Sequence, residues 1–88
     1  MPTPDSDQPV ALKDWLGRLA DRLPAGSTPT ITPGEQAALL DLARVAAHTS
    51  ERISAPISTF LVGVAYASVP AEERAERIRE LASALEMR

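Results

Sequence analysis

Apolar residues recur along this chain at spacings of three and four, and no stretch alternates apolar with polar as a half-buried strand does, so helices are predicted throughout. From Val10 to Leu23 the residues Leu12, Trp15, Leu16, Leu19 and Leu23 draw one stripe, expected to be buried, with Pro9 in the first turn and Asp14 and Arg18 on the solvated side. Pro24 ends this helix, and Ala25 to Ile31 reads as a turn-rich connection. Thr32-Pro33-Gly34-Glu35 then forms a capping box with proline at the first helical position: Thr32 accepts from the Glu35 amide while the Glu35 side chain is expected to reach back. The second helix runs from Pro33 to about Thr49 or Ser50, with Ala38, Leu39, Leu42, Val45 and Ala46 toward the core.

Pro56 disfavours a helical residue before it, so Arg52 to Ala55 is read as a kinked connection into a third helix, Ile57 to Ala67. That helix carries apolar groups on every side, which places it centrally in a bundle or under a partner. Val69 and Pro70 interrupt the chain before a fourth helix, Ala71 to Met87, with Ala71, Ala75, Ile78, Leu81, Ala82 and Leu85 inward and Glu73 paired to Arg77 outside. The expected fold is an all-α, compact four-helix bundle spanning residues 10–88, preceded by a disordered N-terminal tail over residues 1–9.

Composition narrows the function. In 88 residues, nine basic and twelve acidic side chains give a net charge of −3, and Lys13 is the only lysine, so no basic tract exists for nucleic acid. The third helix also lacks charged and amide side chains with which to read bases. The absence of cysteine excludes thiolate chemistry and leaves a reduced cytoplasm as the expected location. The amino terminus does not read as a signal peptide, and Ile57 to Ala67, the longest nearly apolar run, is too short to cross a bilayer. A core of this size also holds only a few kcal/mol, so a second copy or a partner would help it.

Candidate chemistry is sparse. His48 stands near Ser50, Ser54, Ser58 and Thr59, but no GxSxG elbow surrounds any serine and these hydroxyls suit helix ends, so no catalytic residue is assigned and the protein is not expected to be an enzyme. One His48–Glu51 pair is too few ligands for a metal, and no phosphate-binding loop occurs, so neither metal nor cofactor is expected. A polar set remains: Asp41, Arg44, His48 and Arg52 lead toward the loop before Pro56, with Ser58 and Thr59 at the start of the next helix. These residues either stitch the corner between the second and third helices, the preferred reading, or receive a small anion or nucleotide. Trp15 and Phe60 are expected in the core, while Val62, Val64 and Tyr66 are candidates for an interface.

The segment Leu39 to Ala67, LLDLARVAAHTSERISAPISTFLVGVAYA, resembles a small actinobacterial family of domains, the DUF6457 type. The matching positions include Leu39 to Arg44, Ala47, His48, Arg52, Ala55, Pro56, Thr59 to Leu61 and Gly63, and the upstream Trp15-Leu16 pair looks like the family's first helix. The resemblance runs from Leu12 to Ala67, and the fourth helix agrees in character. Two positions depart: Ile53 stands where the family commonly has proline, and Ile57 where it has leucine, while the linker Pro24 to Thr32 is longer. The resemblance implies company with a molybdenum cofactor guanylyltransferase, and hence an accessory role in molybdopterin-guanine dinucleotide biosynthesis or molybdoenzyme maturation. The expected function is therefore a non-catalytic interaction domain for a protein partner, that guanylyltransferase or a molybdoenzyme. The alternatives are an anion-binding module and a homo-oligomeric structural protein.

Overall fold

The computed structural model describes residues 9–26 and 31–86. They form four helices, α1 (Leu12–Arg22), α2 (Pro33–Thr49), α3 (Ser54–Ala65) and α4 (Ala71–Glu86), and no strand. The all-α, four-helix expectation therefore holds, while the expected tail lies outside the described residues apart from its last position, as does most of the first connection. Pro9 precedes α1 by two turnless residues instead of sitting inside its first turn. At the other end of α1, Gly26 turns the chain with φ +79°, a conformation in which a side chain would be strained.

The hydrophobic core lies between α2 and α4. Ala38, Leu42 and Val45 from one helix and Ile78 and Ala82 from the other form one buried cluster, with Ala75 buried beside it. Alanine on both sides lets the two backbones approach closely, leaving Leu42 and Ile78, each 1% exposed, as the large side chains that fill the space. Contacts join the first turn of α2 to the first turn of α4, and Arg44 to Glu86 further along, so these helices run parallel. Two turns and the antiparallel α3 connect them, and α3 packs on α2.

Thr32 Oγ1 accepts from the Glu35 amide at 3.0 Å, as the capping box requires. Replacing Thr32 with alanine should cost about 1 kcal/mol of stability, read from urea unfolding midpoints. The reciprocal half of the box does not form, because the Glu35 carboxylate is drawn away to Arg74.

Four expectations are corrected. Pro56 lies within the first turn of α3, and Ser54 and Ala55 ahead of it are helical; at that depth a proline forfeits no hydrogen bond, so it does not mark the start. Trp15 and Phe60 are not core residues, being 52% and 68% exposed. The whole stripe of α1 is likewise exposed, as is Leu85 of α4, because the close α2–α4 pair already fills its own interior with small residues. The outer pairing of α4 also differs: Glu76 and Arg79 approach to 3.5 Å in place of Glu73 and Arg77.

A candidate docking face and the ion pairs that hold its scaffold

With 100° of turn per residue, α3 divides into two sides. Ala55, Ser58, Thr59, Val62 and Tyr66 share one side and are half-buried, with Val62 and Tyr66 resting on the α2–α4 core. Ile57, Phe60, Leu61 and Val64 share the opposite side, and each is more than half exposed. Of the expected interface residues, Val64 therefore faces solvent, whereas Val62 and Tyr66 face inward and are corrected to packing residues. Ile57, Phe60 and Leu61 take their place. The i, i+3, i+4, i+7 spacing of Ile57, Phe60, Leu61 and Val64 was legible in the sequence, but uniform apolarity hid which side would be turned outward.

Between α2, α3 and α4 lies a cleft of about 400 Å³, with Leu42, Val45, Leu61 and Leu81 among its walls. Thr49, Ser50, Ser54 and Ser58 line it as well. Ser54 donates to the Ser50 hydroxyl at 2.9 Å, joining the end of α2 to the start of α3. Thr59 donates to the Pro56 carbonyl at 3.0 Å, a bond within its own helix. A second, larger cavity of about 820 Å³ separates Leu19 of α1 from Leu39, Phe60 and Ile78, with Glu35 and Arg74 on its wall.

The polar set from the sequence does not converge on one point. Arg44 donates to Asp41 through Nε at 3.1 Å and Nη2 at 2.8 Å, and through Nη1 to Glu86 at 3.1 Å. Its guanidinium value is raised by hydrogen bonding to Glu86 and then Asp41, with the charge of both carboxylates adding to this. His48 and Arg52 are exposed and make no bond to this group, and Ser58 and Thr59 belong to the packed side of α3. The expected stitch of the α2–α3 corner is therefore not made by these residues; Arg44 instead ties α2 to α4. Two carboxylates on one guanidinium leave Arg44 little to offer an anion, and half-exposed pairs of this kind contribute modestly to stability.

The stronger ionic contact was missed by the sequence reading. Arg74 grips Glu35 in a two-pronged pair, Nη2 to Oε1 at 2.9 Å and Nε to Oε2, and its Nη1 donates to the Val69 carbonyl at 3.2 Å. The side chains of Arg74 and Glu35 are only 12% and 5% exposed. Hydrogen bonding to Glu35 raises the Arg74 value; burial opposes this and the carboxylate's charge reinforces it. On the arginine's side the contact is therefore fully charged below the ordinary guanidinium range, and its contribution is lost on that side only as pH rises beyond it. A signal was available, since Arg74 occupies the inward register of α4 with Ala71 and Ile78.

Among the described residues, no three histidine, aspartate or glutamate side chains gather as metal ligands, and no helix is long and apolar enough to cross a membrane. No curated protein and no solved structure matches the chain. A family model described as "Domain of unknown function (DUF6457)" matches residues 7–88, taking in the fourth helix that the sequence resemblance had reached only in character, and the chain belongs to that family.

Proposed function

We propose that this is a non-catalytic accessory domain that works by docking the outward stripe of α3 onto another protein. The observation that carries this reading is the exposure of Ile57, Phe60, Leu61 and Val64 together on a helix with no charged residue. Such a stripe, read at i, i+3, i+4 and i+7, is the pattern by which a helix anchors in a partner's groove. Its exposure to water is unfavourable, and covering it gains the free energy that fixes a complex. Val62 and Tyr66 hold the helix's inner side against the α2–α4 core, leaving the outer side free to bind without refolding.

The family resemblance in Leu39 to Ala67 supports a setting in molybdenum cofactor maturation, with the molybdenum cofactor guanylyltransferase as the partner. Titration of the purified guanylyltransferase with this protein should give saturable binding, weakened at least tenfold by Phe60→Ser with the helical circular dichroism unchanged. No saturable binding would reject that partner, and binding indifferent to Phe60→Ser would reject the face.

A further inference from the structure

A second apolar stripe lies on α1. Leu12, Trp15, Leu16, Leu19 and Leu23 fall within one side of that helix, and all are between 38% and 52% exposed. Within its own chain α1 is not seated: the 820 Å³ cavity stands between its Leu19 and Phe60, and none of its residues is buried. The chain therefore presents an amphipathic helix that fills no groove, and an apolar helix face that borders open space toward α1 at Phe60 and toward α4 at Leu61.

We propose that two copies of the chain pair by exchange, the α1 of each covering the outward α3 stripe of the other. This rests on the reading of α3 as a docking face and places a second copy there in the free protein, so that self-pairing and the other partner compete for the same stripe. An aromatic side chain offers about 150–250 Å² and an aliphatic one somewhat less, so the exposed parts of the two stripes amount to roughly 900 Å² per chain. A stable interface takes about 800 Å² from each partner, so the two stripes together suffice and either alone does not. The α3 stripe carries no charge, so the leucines of α1 settle there without stripping water from an unpaired ion. Among the described residues, three of the six buried hydrophobic ones are alanine, so each chain gains much from the added burial.

Sedimentation equilibrium of the full chain at micromolar concentration tests this. Wild type should weigh twice 9.4 kDa, and Trp15→Asp and Leu61→Asp should each weigh 9.4 kDa with helicity retained. Because exchange joins two different faces, mixing the two variants restores one intact α1–α3 contact and should give a weaker, concentration-dependent pairing that neither variant shows alone. Should Leu61→Asp unfold, Val64→Asp takes its place. A wild type that stays monomeric overturns the proposal, as does a dimer untouched by Trp15→Asp or a mixture that fails to recover pairing. A monomer that still binds the guanylyltransferase through Phe60 leaves the docking reading standing, whereas loss of both removes it too.

Discussion

Replacing Arg74 with methionine should leave the protein largely unfolded at room temperature. The substitution strands the Glu35 carboxylate at a position only 4% exposed, and it releases the Val69 carbonyl that ties the preceding turn to α4. Breaking a buried pair from one side costs about 3–5 kcal/mol, comparable to all the stability a domain of this size holds. Most of that loss comes from the charge left behind, so removing both charges should repair it. The double variant Glu35→Leu with Arg74→Met is expected to recover most of the wild-type urea midpoint, because apolar groups of similar volume suit the same space. An Arg74→Met midpoint equal to wild type would mean that water reaches Glu35 and that the two helix starts are not joined as described.

Truncating Ile78 to alanine should be the next most damaging change. Ile78 and Leu42 are the largest side chains fully enclosed between α2 and α4, and a cavity there cannot close without moving two helices held at both ends by ion pairs. The expected loss is about 2–5 kcal/mol in urea unfolding. Trp15→Ala removes a larger side chain, yet in dilute monomer it should shift the midpoint far less, since half of that indole already faces water. Equal losses for the two would place α1 inside the core.

The same contrast marks where periodicity informs and where it stops. The number of helices, the Thr32 cap and the inward register of Ala38, Leu42, Val45, Ile78 and Ala82 all follow from local spacing and local hydrogen bonding, which need no knowledge of neighbours. The fate of a stripe does not. The pattern of α1 is as regular as that of α4, but burial needs a facing surface, and α2 offers its own to α4 and α3. On α3, Val62 and Phe60 are indistinguishable by hydropathy, and only packing against α2 separates an inner side from an outer one. Glu35 shows a different failure: its capping role is correct for the backbone amide, while its carboxylate answers to an arginine thirty-nine residues away. A local motif specifies local bonds, and a stronger charged partner displaces the weaker half of the box.

The central claim is that α3 turns Ile57, Phe60, Leu61 and Val64 to solvent in the single chain. Hydroxyl-radical footprinting at nanomolar concentration, below the range of self-association, reads that directly. Phe60, Leu61 and Ile57 should be labelled strongly, at rates near those of an unfolded reference, while Leu42 and Ile78 stay protected. Protection of Phe60 and Leu61 to the level of Ile78 under those conditions would contradict the account, because the face assigned to docking would then be interior.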